Sequence, residues 1–288
     1  MKQMNAARRQ AHWDLRAAGN FMAGGTGCGL VLAAVVAALA GAGVPRLALL
    51  VAAACVGFGL LLVWLEIGKP WRALHVFFHP HTSWMTREGI LAGPLLASCA
   101  LGAWTGHALW LVPAAGFAGG FLYAQARILR AARAIPAWSH PRIVPLIVAT
   151  GVAEGFGAYV ALAAAFGGPE SLPALVAALA IVAGVTREVV REVYRRALVA
   201  ARAPQPTLEW FVRPEVHVLR ALRVLSVLLL ALGLATEVRW ALAAGGVLAV
   251  LGGWGLKGVL VTRAAYTRGA MIPHAPTRGR SQARSVTN

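Results

Sequence analysis

Two stretches of this 288-residue sequence carry side chains that could do chemistry. The first runs from Glu66 through Gly68, Lys69, Pro70, Trp71 and Arg72 to His75. It then passes Phe77, Phe78, His79, Pro80 and His81 and ends at Ser83-Trp84-Met85-Thr86-Arg87-Glu88. Carboxylates and imidazoles exchange protons, guanidinium groups donate hydrogen bonds, and indole rings form flat apolar walls. A partly apolar ring with two oxygens, such as a quinone, needs such a set: an apolar slot, donors at its carbonyls, and groups that move protons as electrons arrive. The residues alone also admit a Trp-anchored interfacial loop with snorkelling cations. The second stretch surrounds Glu154 in Ala149-Thr-Gly-Val-Ala-Glu-Gly-Phe-Gly-Ala-Tyr159. Glu154 follows Arg142 by about 12 residues, or about 18 Å of helix into a hydrocarbon core of roughly 30 Å. A carboxylate at that depth reads either as a proton-exchanging cavity group or as a neutral acid tying two helices together. Gly151, Gly155 and Ala158 share its helix face, which points it into a bundle.

The elements that hold these groups follow from composition. Apolar residues make up 59% of the chain and charged residues 13%, with a mean hydropathy of +0.67. Soluble domains carry about 25% charged residues, so a typical cytosolic enzyme, a nucleic-acid-binding module and a disordered chain are excluded. Spanning helices need roughly 20 apolar residues. Eight segments qualify, at about 20–42, 46–66, 88–106, 108–126, 143–166, 171–190, 218–236 and 240–260. The apolar runs are continuous and do not alternate, which argues against strands. The expected fold is all-α, a polytopic bundle of eight transmembrane helices over 20–266. A basic N-terminal tail at 1–19, read as retained, and a C-terminal tail at 267–288 flank it. Spans three and four are divided only around Thr105-Gly106-His107. Small residues four apart, at Gly25/Gly29, Gly116/Gly120 and Gly151/Gly155, either set specific helix pairs or reflect a generally Gly-rich bundle.

The formal net charge is +17, and on this division 25 of the 27 Lys and Arg fall on one side, with Arg46 and Arg239 opposite. The positive-inside rule then sets both termini and the long connections in the cytoplasm of a bacterial inner membrane. Glu154 is the one acid read inside a span. Basic residues spread over five membrane-flanking segments do not make a nucleic-acid site. Cys28, Cys55 and Cys99 have no C-x-x-C spacing, and all eight histidines fall in tails, loops or span edges. The expectation is a chain without iron–sulfur cluster, haem or metal site of its own.

The segment Glu66-Ile-Gly-Lys-Pro-Trp-Arg followed by Ser83-Trp-Met-Thr-Arg-Glu88 resembles the signature of dimethyl sulfoxide reductase membrane anchors, part of the quinone-reactive anchors of molybdopterin oxidoreductases. Tyr123-Ala-Gln-Ala-Arg127, Ala134-Ile-Pro-Ala-Trp138, Ala265-Tyr-Thr-Arg-Gly269 and Pro276-Thr-Arg-Gly279 are similar to it too, so the likeness covers essentially the whole chain. It implies eight spans and electron exchange between ubiquinone or menaquinone and a partner iron–sulfur subunit, itself wired to a molybdopterin catalytic subunit. It also implies a quinone site that includes Glu66, Gly68, Arg72 and Glu88. Many members carry His where this chain has Glu66, so the resting charge there differs.

On these grounds Glu66 and Glu88 are expected to exchange protons. Arg72, His75 and Arg87 would bond the quinone, Gly68 would lie beside it, and Trp71 and Trp84 would form walls. Glu154 is a separate proton group. The dimethyl sulfoxide reductases carry this motif on the periplasmic face, whereas here it lies on the basic, cytoplasmic one. The closer likeness is therefore to cytoplasm-facing sulfite dehydrogenase and phenylacetyl-CoA:acceptor oxidoreductase anchors, with sulfite oxidation preferred. The main substrate would react in a partner and not in this chain. The connection Ala197–Glu215 and the tail after Thr267 are candidate docking surfaces for the partners or the lipid bilayer. From another class, a proton-coupled transporter using Glu154 is the alternative. It would favour internal repeats, and only Thr-Arg-Glu at 86–88 and 186–188 recurs.

Overall fold

A computed structural model of the protein describes residues 2–5, 7–66, 75, 77–167, 172–268 and 270–272. The apolar runs form ten α-helices among the described residues. In chain order they are α1 (Leu15–Ala37), α2 (Arg46–Glu66), α3 (Trp84–Thr105), α4 (Leu111–Ala131), the short α5 (Pro136–Ser139), α6 (Ile143–Phe166), α7 (Ala174–Ala200), the short α8 (Gln205–Trp210), α9 (Pro214–Thr236) and α10 (Arg239–Gly258). α1 and α10 each continue into a π-helical turn, Ala38–Ala42 and Val259–Arg263. One feature departs from an all-α expectation. Strands β1 (Lys2–Asn5) and β2 (Ala270–Ile272) pair antiparallel, with Lys2 opposite Ile272. Two segments read as tails are thereby joined. Gln10 extends the tie, its backbone N–H donating to the Ala265 carbonyl at 2.9 Å.

Helix ends follow local rules. Asp14 caps α1, its carboxylate accepting from the Arg16 backbone N–H at 2.7 Å, and Ser83 caps α3 by accepting from the Thr86 N–H at 3.3 Å. Both satisfy amide groups that a helix start leaves open. The break around Thr105 is a tight turn: Gly106 ends α3 at φ +71°, a left-handed conformation that favours glycine.

Among the described residues, six helical segments are long and apolar enough to cross a membrane: Leu15–Ala42, Arg46–Glu66, Ala108–Ala131, Ile143–Phe166, Pro214–Thr236 and Arg239–Arg263. α3 and α7, with 22 and 27 residues, are of spanning length. α7 carries Arg187, Glu188, Arg191, Glu192, Arg195 and Arg196 along its second half, and it runs ten residues beyond the expected end at 190.

α1 is the hub and packs against α2, α4, α6 and α10. Its closest neighbour face is set by glycine. A Cβ on Gly155 of α6 would overlap the backbone of Gly29 and Leu30, and one on Gly29 would overlap the Gly151 carbonyl. The Gly25/Gly29 and Gly151/Gly155 spacings therefore mesh with each other, as small-residue pairs do in membranes. Gly116 faces open space instead. One of the two cations assigned to the opposite face has a visible task. Arg239 donates to the carbonyls of Ala163 and Ala164 at 3.0 and 3.1 Å, and to Gly167, so a cation meets the negative end of α6.

Candidate functional site

Glu66 and Glu88, 22 residues apart in sequence, line one pocket of about 170 Å³. The last turn of α2 supplies Val63 and Glu66, and the first turns of α3 supply Met85 and Glu88. α1 adds Ala17, Asn20 and Phe21; α4 adds Ile128; and Trp13, just ahead of α1, completes the lining. Arg16 fastens the α1 and α2 ends together by donating to the Leu65 carbonyl at 3.1 Å. It also pairs with Asp14 at 2.9 Å, which holds the Asp14 carboxyl below its ordinary range.

Glu88 is 5% exposed. Its Oε1 accepts from the Asn20 Nδ2 at 3.0 Å, and the Asn20 backbone carbonyl accepts from the Gln125 Nε2 at 2.9 Å. Two buried amide oxygens, Asn20 Oδ1 and Gln125 Oε1, have no hydrogen-bond partner among the described residues. Unpaired buried acceptors are costly, and here they leave capacity for an added donor beside a carboxyl group. On the other side Trp13 stacks on Phe21 and on Trp138, with centroids 5.9 and 4.8 Å apart, forming a fixed apolar wall. One wall is apolar and aromatic, and the other holds two carboxyl groups and an amide. Such a pocket fits a flat ring with oxygen substituents and holds groups able to exchange its protons.

The remaining expected residues are placed elsewhere. Gly68, Trp71 and Arg72 lie outside the described residues. His75 is exposed and meets Phe78 edge-on at 5.7 Å. Trp84 and Arg87 do not line the pocket. Trp84 turns to Tyr123, and the Arg87 and Arg127 guanidinium groups lie 4.1 and 4.4 Å from its ring centroid. Arg87 also donates to the Pro80 and His81 carbonyls at 2.8 and 2.9 Å, tying down the loop before α3. The aromatic wall is Trp13, which sequence reasoning missed. It also missed Asn20 and Gln125, although they are the only Asn and Gln within the expected spans, and an amide among apolar residues is itself a signal.

Glu154 lies apart from this pocket and is not alone. Its Oε2 accepts from the Lys257 Nζ at 2.7 Å and from the Thr26 hydroxyl at 2.9 Å. Lys257 also donates to the Phe21 carbonyl at 2.8 Å, and the Trp254 indole donates to Thr26 at 2.9 Å. A second buried charge group adjoins it across α10. Glu188 accepts from Arg223 at 2.5 Å and from Arg191 at 3.0 Å, while Arg187 donates to the Ala249 carbonyl at 2.9 Å. Glu154, the one acid read inside a span, therefore has charged company. Lys257, Arg187, Arg191 and Arg223, counted among the 25 cations of one side, are buried. Paired partners and carbonyls make that burial tolerable.

Two comparisons bear on the chain. A family model described as polysulphide reductase, NrfD, matches residues 3–264. No curated protein matches.

Proposed function

The chain belongs to the NrfD family, the membrane anchors of molybdopterin oxidoreductases, and from that premise we propose that it is the quinone-reactive anchor of such a complex. The observation that carries the reading is the pocket in which Glu66 and Glu88 face Trp13, Phe21 and Met85 across about 170 Å³. A bound quinone would supply the two-electron acceptor. The chain's part is to hold the ring between the Trp13–Phe21 wall and the Asn20–Glu88 edge, and to bring protons to its oxygens through the Glu88 and Glu66 carboxyl groups. Electrons enter from an iron–sulfur partner that receives them from a molybdopterin subunit.

We further propose eight spans, with α3 and α7 crossing beside the six apolar segments, and a cytoplasmic basic face in a bacterial inner membrane. The one-sided distribution of Lys and Arg supports that orientation. It supports in turn an oxidising, cytoplasm-facing complex, with sulfite oxidation as the partner's reaction. The experiment is purification of the intact complex with and without Glu88→Gln, with co-purifying subunits identified by mass and quinone turnover measured. The expected result is iron–sulfur and molybdopterin partners present in both, with turnover lowered roughly 100-fold in the variant. Unchanged turnover sinks the site, and absence of both partners sinks the anchor.

A further inference from the structure

At the start of α3 and the end of α4, consecutive residues face opposite ways. Met85 and Ile128 line the Glu88 pocket, while Trp84 and Arg127 line a separate cleft of about 460 Å³ with Thr82, Arg130, Arg133 and Ser139. Three arginines and two hydroxyls are gathered there without an acidic residue in the lining. Among the described residues none of the three arginines is ion-paired, although Glu188 and Glu192 take up arginines elsewhere. Arg127 is held in place, its Nη1 donating to the Tyr123 hydroxyl at 2.7 Å with its guanidinium over Trp84. Uncompensated, partly ordered guanidinium groups with flanking hydroxyls match the oxygens of a phosphate.

What lies beneath the cleft narrows the ligand. Val112, Gly116, Gly119, Tyr123, Arg127 and Arg130 follow one another at three- and four-residue steps, so they form one face of α4. A Cβ on Gly116 or Gly119 would meet nothing within 4 Å, and Val112 is 73% exposed. The face is therefore apolar, bare and shallow. From Gly116 to Arg127 it runs about 16 Å along the helix axis, about half of a hydrocarbon core of roughly 30 Å. A water-soluble partner cannot reach a surface at that depth, and a free phosphate would leave it unused. A molecule with an anionic head and a hydrocarbon chain uses both parts.

We propose that the Arg127–Arg130–Arg133 cleft holds the phosphate of an anionic phospholipid, whose acyl chain lies along the Tyr123–Gly119–Gly116 face of α4. The lipid occupies the opposite side of the α3–α4 pair from the Glu88 pocket.

The full chain, in its complex, is reconstituted into nanodiscs holding equal phosphatidylglycerol and phosphatidylcholine, delipidated stepwise and weighed by native mass spectrometry. Phosphatidylglycerol is expected to be retained over phosphatidylcholine. Arg130→Gln with Arg133→Gln is expected to weaken retention by roughly thirtyfold, since two basic groups near a lipid headgroup are removed. Gly116→Leu with Gly119→Leu fills the bare face with the arginines intact. It is expected to lower retention of the lipid without lowering the binding of free glycerol 3-phosphate. Equal retention of the two lipids overturns the proposal, as does unaltered retention in either double variant. Complete displacement of the lipid by free glycerol 3-phosphate would make the cleft a soluble-phosphate site. An arginine variant that keeps the lipid but loses the iron–sulfur subunit would make it a protein-docking site. Either outcome overturns the assignment.

Discussion

Lys257 and Glu154 form an ion pair at 2.7 Å in which both side chains are 0% exposed. They lie 103 residues apart, on α10 and α6, and their contact closes the bundle beside α1. Removing one partner leaves a buried charge uncompensated, which costs about 3–5 kcal/mol. Lys257→Met is therefore expected to lower thermal stability sharply, and Glu154→Gln to do the same. The double variant should recover a large part of the loss, because neither charge is then stranded. Additive losses in the double variant would show that the two groups do not depend on each other.

Asn20 orients the Glu88 carboxyl group by a 3.0 Å hydrogen bond. Asn20→Leu keeps the size of the side chain and removes that donor. Quinone turnover is expected to fall about tenfold, on the scale of one hydrogen bond to a charged group, with partner subunits still bound. Turnover equal to that of the unaltered complex would remove Asn20 from the site.

Trp13 forms the flat wall of the pocket, stacked on Phe21 and Trp138. Trp13→Leu is expected to raise KM for quinone several-fold while kcat changes little, since a wall binds ground and transition states alike. A fall in kcat at unchanged KM would assign Trp13 a different part.

The glycine seam between α1 and α6 allows no side chain. Gly155→Leu places its Cβ on the Gly29–Leu30 backbone, and backbone cannot move aside as a side chain does. The cost is expected to exceed the roughly 1–3 kcal/mol of ordinary overpacking, with loss of folded protein from the membrane fraction. Gly116→Leu, facing open space, is expected to accumulate normally.

Asp14 caps α1, and Arg16 lowers its pKa. A group depressed in the folded state stabilises above its unfolded pKa and loses that contribution as pH falls through the lowered value. Asp14→Ala is expected to cost about 1 kcal/mol at pH 7. The gap in melting temperature between the two proteins should narrow on acidification below the ordinary carboxylate range, which a pH series of melting curves would reveal.

Much of this was legible in residue order. Apolar runs between Gly, Pro and charged residues located the long helices, and Glu66 and Glu88 at the facing ends of consecutive helices do share a pocket. What was not legible has physical causes. Trp84 and Met85 lie four and three residues before Glu88, so helical phase admits either beside it, and the pocket takes Met85 and, from ahead of α1, Trp13. The Glu154–Lys257 pair was not legible, because nothing local signals a partner 103 residues away. Lys257 near a helix end looks like any membrane-flanking cation. The β1–β2 ribbon was hidden for the same reason, since each strand is too short to announce itself without the other.

The hub position of α1 has a bearing on biogenesis. Ribosomes add about 5–20 residues each second, and α1 is made some 200 residues before α10. For roughly 10–40 s the helix that touches the most neighbours waits among lipids without its last partner. α2 and α4 claim part of its surface sooner, and α6 then covers the Gly25–Gly29 seam, so the patch left open to hydrocarbon until the end is the one that α10 covers.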